Sequence, residues 1–363
     1  MGYLLKNLIA RFKHEEVMKI LVTGGSGFIG SALIRKAIKL NHSVINVDCL
    51  TYAASKKTNK HLEKNSSYNF ENINISEKEK IDQLFRNYQP DALIHLAAES
   101  HVDRSIDGPK VFLETNILGT FNLLEATRNY VKSNNSNNNF RFIHVSTDEV
   151  FGSLGKKGYF TEKSAYAPNS PYAASKASSD HLVHSWYETF GLPTIITNCS
   201  NNYGPYQFPE KVIPLTILNA IKGEPIQLYG TGQNIRDWLY VEDHADALLQ
   251  ILDKAKIGQR FNIGGNNEIK NIDLIDLICE SLDKKVPKST SYKHQIKYVE
   301  DRPGHDMRYA IDNKKIVDQI GWKPSITFKK GMDLTIDWYL NNADWWQELY
   351  LQNVTKKRLG TLK

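Results

Sequence analysis

Cysteine is scarce. The 363-residue chain carries three, Cys49, Cys199 and Cys279, far apart and odd in number. That excludes a disulfide framework and fits a reducing cytoplasm. No Cys or His spacing of a metal site occurs, so no metal is expected. Long apolar runs are missing as well; nothing approaches the roughly 18 uninterrupted apolar residues of a membrane span. Nor is there a dense basic patch interleaved with aromatics. The formal charge is +6, and the short lysine pairs and Lys356-Lys357-Arg358 read as solvated surface charge. The mild excess suits an anionic small molecule and makes no case for nucleic acid. Internal repeats are absent. The length suffices for a large core and for two lobes.

What is present is an alternation of short apolar runs and amphipathic stretches. Strands are expected at 19–23, 43–47, 68–75, 92–96, 140–145 and 194–198, separated by helices at 31–40, 77–88, 109–131 and 171–190. This βαβα order with buried strands argues for an α/β fold, a doubly wound parallel sheet of Rossmann type. The Asn-rich segment 133–139 reads as a solvated loop. After about residue 200 the texture becomes turn-rich. Short strands at 226–229 and 261–263 mix with helices at 213–221, 241–252 and 272–282. The expected organisation is an N-terminal extension over 1–17, a dinucleotide-binding domain over 18–200, a region over 201–345 that is mainly a smaller α/β substrate lobe, and a tail over 346–363. The extension has a short apolar run and a few basic residues but no small-residue cleavage site, so it reads as an added segment.

The first strand runs into Gly24, Gly27 and Gly30, a GxxGxxG turn that opens a helix. Glycine permits the tight turn and lets a pyrophosphate approach backbone N–H groups at the helix N-terminus. Such a turn is a weak signal alone. Here an acid, Asp48, ends the second strand, where it can accept from adenosine ribose hydroxyls and would repel a 2′-phosphate. No arginine follows directly, so NAD is favoured over NADP. Leu96-Ala97-Ala98-Glu99-Ser100 ends the fourth strand at the same edge, with small side chains that leave room for a cofactor.

The strand 140–145 delivers Ser146-Thr147-Asp148-Glu149 to its C-terminal end. Tyr172 and Lys176 follow at i and i+4, on one side of a helix. A free phenol has a pKa of about 10; an adjacent ammonium should lower it, so that Tyr172 can accept a sugar hydroxyl proton during oxidation. Hydride transfer needs no adjacent carboxyls, so Asp148 and Glu149 imply a second reaction. Oxidation at C4 of a hexose acidifies C5–H, and the C6 hydroxyl then lies β to the carbanion. One carboxylate can take the C5 proton and one carboxylic acid can protonate the leaving hydroxyl. Neighbouring like charges help keep one of the two protonated.

With these residues placed, the sequence resembles the extended short-chain dehydrogenase/reductase superfamily and, more narrowly, its dTDP-glucose 4,6-dehydratase family. The strings that carry the resemblance are Thr23–Gly30, 96–105, 146–152, 171–176, 198–205, 236–244 and Asp301-Arg302-Pro303-Gly304-His305-Asp306. The match runs from Met18 to about Asp337. The resemblance implies a lyase with tightly bound NAD, in which Thr147, Asp148, Glu149, Tyr172 and Lys176 carry catalysis. It implies that Gly24, Gly27, Phe28, Ile29, Gly30, Asp48, Thr51, Asn74, Ile75, Leu96, Ala97, Ala98, Ser100, Thr115, Tyr172, Lys176 and Asn202 hold NAD. It also implies that Ser100, Thr147, Asn201, Lys211, Val212, Gln227, Tyr229, Arg236, Asn271, Arg302 and His305 hold a nucleotide-sugar. A homodimer through the helices near 110–130 and 171–190 is implied too. One departure is Asn74 where the family has Asp. The competing readings are a 4-epimerase of the same superfamily, which has no use for a Glu beside an Asp, and a non-catalytic nucleotide sensor, which tends to lose the Tyr or Lys.

Overall fold

The computed structural model describes residues 17–133, 139–353 and 360. The N-terminal extension up to residue 16, most of the Asn-rich loop and the basic stretch 356–358 lie outside the described residues. The strands are β1 (Lys19–Thr23), β2 (Ser43–Val47), β3 (Tyr68–Glu71), β4 (Ala92–His95), β5 (Arg141–Thr147), β6 (Thr194–Cys199), β7 (Asn201–Tyr203), β8 (Ile226–Tyr229), β9 (Ile235–Tyr240), β10 (Arg260–Ile263), β11 (Glu268–Lys270) and β12 (Ile296–Val299). Seven form one sheet in the order β10-β6-β5-β4-β1-β2-β3, and every neighbouring pair is parallel. Ile20, Leu21, Val22, Leu93, Ile94, Phe142 and Ile143 are fully buried, as expected for strands covered by helices on both faces. The strand order reverses between β1 and β4, and a ligand cleft is expected at the carboxyl edge there.

Three expectations are corrected. The run at 261–263 was assigned to the smaller lobe; β10 instead extends the main sheet beside β6, with Phe261 and Ile263 fully buried. Helix Val241–Lys254 returns with it and lies against helix Phe28–Lys39, where Arg35 meets Glu242 at 3.1 Å and Lys36 meets Asp246 at 2.5 Å. A single cut at residue 200 therefore does not separate the lobes. Residues 239–263 and 316–322 share the sheet's core. The boundary at 345/346 falls inside helix Ala343–Asn353, because Trp345 and Trp346 are buried in the smaller lobe's core. The third strand stops at Glu71, since Asn74 Oδ1 accepts from Ser76 N and turns the chain.

The expected helix over 109–131 contains a π-helical segment, Leu113–Gly119. A Cβ on Gly119 would sit 2.5 Å from Ile75 Cδ1, so that glycine admits the chain leaving β3. Among the described residues no helix is long and apolar enough to cross a membrane. Because Phe261 joins the main core, Phe261→Ala should lower unfolding free energy by about 3–5 kcal/mol in a urea titration. A loss within a few tenths of a kcal/mol would place β10 outside that core.

Candidate active site

A cleft of about 360 Å³ lies along the carboxyl edge of the sheet. Its floor begins at the glycine turn. Gly24 has φ +74°, and a Cβ on Gly30 would stand 2.2 Å from the Gly24 carbonyl oxygen, so any side chain there would force the turn apart. Asp48 Oδ2 accepts from Ser26 N at 2.9 Å and Oδ1 from Leu50 N at 2.8 Å. Burial pushes this carboxyl up, and the two backbone donors oppose that. Thr51, Asn74, Ile75, Leu96, Ala97, Ala98, Ser100 and Thr115 line the same wall with Phe28 and Ile29. Asn116 pins the loop after β4: its Oδ1 accepts from Glu99 N, and its Nδ2 donates to Glu99 O and Ser175 Oγ.

The catalytic candidates converge at the other end. β5 ends at Thr147, whose Oγ1 accepts from Glu149 N at 3.2 Å and starts a short 3-10 turn over Asp148–Phe151. Helix Pro171–Phe190 is capped by Ser170 Oγ, which accepts from Ala173 N, and puts Tyr172 and Lys176 on its buried side. Thr147, Asp148, Glu149, Tyr172 and Lys176 all line the cleft.

Their environments differ sharply. Asp148 is 1 % exposed, and its Oδ2 has no hydrogen-bond partner. Burial, then Glu149 and Asp237, push its carboxyl well above the usual range. Burial also raises Glu149, but Arg302, Arg236 and Lys211 pull against it. Both carboxyls are thus raised, but unequally: Asp148 goes well up toward the acid, while three cations hold back the rise of Glu149. The expected lowering of the Tyr172 phenol is not found. Burial raises it well above 10, Glu149 adds to this, and Thr147 opposes it only in part. Lys176 Nζ donates to Val145 O at 2.9 Å instead of reaching the phenol.

Among the substrate candidates, Asn201 and Lys211 line the cleft; Val212, Gln227, Tyr229, Arg236, Asn271, Arg302 and His305 do not. Arg236 and Arg302 border its end, close enough to act on Glu149. Arg236 is buried on β9 with its guanidinium over the Tyr309 ring at 4.3 Å. Arg302 pairs with Asp103 at 2.7 Å, Tyr229 Oη lies 3.4 Å from Asp103 Oδ2, and His305 Nδ1 is 2.6 Å from Asp301. Gln227 is exposed on β8, Val212 opens helix Val212–Lys222, and Asn271 opens helix Asn271–Lys285. Asn202 lines the cleft, but its amide is committed to His244 and to Ser200 O. Sequence reasoning missed Cys199, Ser200, Gln207, Phe208 and Glu210. The first two end β6 and could have been found by the strand-end rule that found Thr147. The others sit in an irregular segment with no such signal.

The model of the family described as GDP-mannose 4,6 dehydratase matches residues 21–335. The chain belongs to that family. Among its relatives, the dTDP-glucose 4,6-dehydratase of Salmonella typhimurium is 56 % identical over 340 residues, covering 90 % of this chain and 94 % of the relative. The dTDP-glucose 4,6-dehydratase of Bacillus anthracis, solved in complex with NAD, is 41 % identical with a TM-score of 0.83, covering 92 % of this chain and 100 % of that one. DesIV, the corresponding enzyme of Streptomyces venezuelae, also solved with NAD, is 39 % identical with a TM-score of 0.85 over the same shares. The family resemblance read from the motifs therefore holds, and the doubly wound fold is that of these dehydratases.

A carboxyl that binds its proton more tightly when folded than when unfolded costs nothing below its unfolded pKa. Its cost is felt in full once pH rises past the folded value. Asp148 is such a group. Asp148→Asn should therefore raise stability at neutral pH by about 0.5–2 kcal/mol, with the gain fading toward acid pH. Melting curves across pH test this; a variant less stable than wild type at every pH would show that Asp148 is structural.

Proposed function

We propose that this protein is an NAD-dependent hydro-lyase that converts a nucleotide-activated glucose, dTDP-glucose, to its 4-keto-6-deoxy form. The observation that carries the reading is the Asp148–Glu149 pair at the end of β5: one carboxyl is sealed with an unpartnered oxygen, and the other faces three cations. A 4-epimerase has no use for this pair. The dehydratase relatives support the same substrate and cofactor.

The residues fit NAD. The glycine cradle has no room for a Cβ at Gly24 or Gly30, as a pyrophosphate seat requires. Asp48 stands at the ribose position, and Lys176 on the opposite wall would meet the nicotinamide ribose. When bound, NAD supplies a hydride acceptor at C4 and the same hydride at C6. Tyr172 Oη takes the C4 hydroxyl proton while Thr147 Oγ1 holds the C4 oxygen. Glu149 then removes the C5 proton, acidified by the adjoining ketone. Asp148 delivers its proton to the C6 hydroxyl, which leaves as water, and Glu149 gives the C5 proton back as hydride returns to C6. Arg236, Arg302 and Lys211 match the diphosphate charge, arginine in forked contacts. The exposed apolar side chains Leu113, Leu118, Phe121 and Phe190 on helices near 110–133 and 171–190 support a homodimer through that face. Three unpaired cysteines support a cytoplasmic setting.

Incubation with dTDP-glucose should yield a 4-keto-6-deoxy sugar with no net reduced cofactor, and with less turnover of UDP- and CDP-glucose. Stoichiometric release of reduced cofactor would refute the cycle. For the acid, Asp148→Asn should lose about 10²–10⁴-fold in kcat with the natural substrate and recover most of it with a 6-fluoro analogue, whose leaving group needs less protonation. Equal impairment with both would remove Asp148 as the general acid.

A further inference from the structure

Behind β5, away from the cleft, lies a second group of buried titratable side chains that the reaction does not touch. Asp180 stands one helical turn beyond Lys176, as Lys176 stands one turn beyond Tyr172. It is fully buried, and its Oδ2 accepts from Tyr166 Oη at 2.5 Å and from Asn198 Nδ2 at 3.1 Å. His144 Nε2 on β5 lies 3.2 Å from Oδ1, out of line for a hydrogen bond. Burial pushes the Asp180 carboxyl up, but His144, Lys176 and Tyr166 more than reverse this. Burial takes His144 down to about 4, with Lys176 adding to the effect against Asp180, so the imidazole is neutral.

The charge that answers Asp180 must come from elsewhere. Arg260 on β10 caps the outer end of the cluster, its guanidinium 4.8 Å from the Tyr166 ring centre. Lys176 is the inner cation. A lysine buried this deeply is driven toward the neutral amine, and burial does lower Lys176, while Asp180 and then Cys199 oppose it. The other groups facing it cannot serve as anions. On β6 the Cys199 thiol is pushed up to about 12 and stays protonated. On its own helix Tyr172 is held as the phenol, and Asp148 beyond β5 is held as the acid. On β4 His95, with its ring 5.2 Å from that of His144, is driven well down by burial and stays neutral.

We propose that Asp180 is a positioning residue for the reaction: it is the internal counter-charge that keeps Lys176 an ammonium beneath the cleft. This rests on the dehydratase reading, because Tyr172 must be a phenolate to take the C4 hydroxyl proton, and a charged Lys176 can balance that phenolate from the same helix. From that position Asp180 answers the ammonium without adding a further anion to the cleft, where Glu149 already acts on Tyr172.

The test is a pH series on the holoenzyme and its Asp180→Asn and Asp180→Glu variants, read two ways. In kcat/KM, Asp180→Asn should lose activity on the alkaline side of neutrality, about tenfold for each unit by which the lysine is lowered, while Asp180→Glu restores the wild-type limb. In ¹³C NMR of lysine-labelled protein, the Lys176 signal, identified by its loss in Lys176→Met, should report an ammonium at neutral pH in the wild type. It should lose its proton at lower pH in Asp180→Asn. A uniform loss of activity at every pH with an unmoved lysine signal would reduce Asp180 to a structural role. A neutral Lys176 in the wild type overturns the proposal without any variant. A wild type that makes no keto sugar would sink the dehydratase reading instead and leave the lysine titration to decide Asp180.

Discussion

Two carboxyls held side by side at the end of β5 set the terms for everything around them. Asp148 and Glu149 are consecutive, so their separation cannot be tuned by moving elements; only their surroundings can make them differ. The end of β5 achieves this by unequal burial. The strand emerges between β4 and β6 with both faces covered, and the 3-10 turn begun by Thr147 buries Asp148 fully while Glu149 stays part-exposed. Asp148 meets burial and a second acid, Asp237, with Arg236 opposing only in part; Glu149 meets Arg302, Arg236 and Lys211. Neighbouring carboxyls are thus given unequal surroundings.

That arrangement explains why the smaller lobe cannot be a detachable cap. Its strand β9 supplies Arg236 and Asp237 in succession, so one strand both restrains the rise of Glu149 and adds to that of Asp148. The chain then returns to the main sheet through helix Val241–Lys254 and β10 before the smaller lobe is finished. Interleaving of this kind ties the arginine positions to the sheet's own core. The cations that answer Glu149 are therefore fixed relative to β5 by buried packing, which is the precision that a proton-transfer site needs.

The parts legible in the sequence are those with one chemical solution. GxxGxxG could be read because only glycine tolerates a carbonyl 2.2 Å from where its Cβ would be. Thr147-Asp148-Glu149 and Tyr172/Lys176 could be read because their spacing fixes them to a strand end and a helix face. The placement of β10 could not, because parallel pairing is chosen between distant segments and leaves no local pattern; Phe261-Asn262-Ile263 suits either sheet. The reach of Trp345 and Trp346 back into the smaller lobe was hidden for the same reason. The pKa of Tyr172 was misjudged for a different one. An i, i+4 spacing brings two residues to one face but says nothing of where the ammonium points, and it points to the Val145 carbonyl.

That last point bears on how the site holds its charges. An arginine in place of Lys176 would be charged regardless of burial, yet its fork would demand partners that a single carbonyl cannot provide. A lysine fits the carbonyl but is at risk of losing its proton to burial. The molecule resolves this with an anion one turn further along the same helix, Asp180, itself held by a phenol and an amide beside an imidazole that stays neutral. Positive charge at the cleft and negative charge one turn further on set up a dipole along helix Pro171–Phe190. Its positive end faces the place where a phenolate must form and where a sugar carbanion must be tolerated. The same backbone strand, β5, thus separates two balanced ion networks: the front one sorts a proton donor from a proton acceptor, and the rear one keeps the ammonium charged.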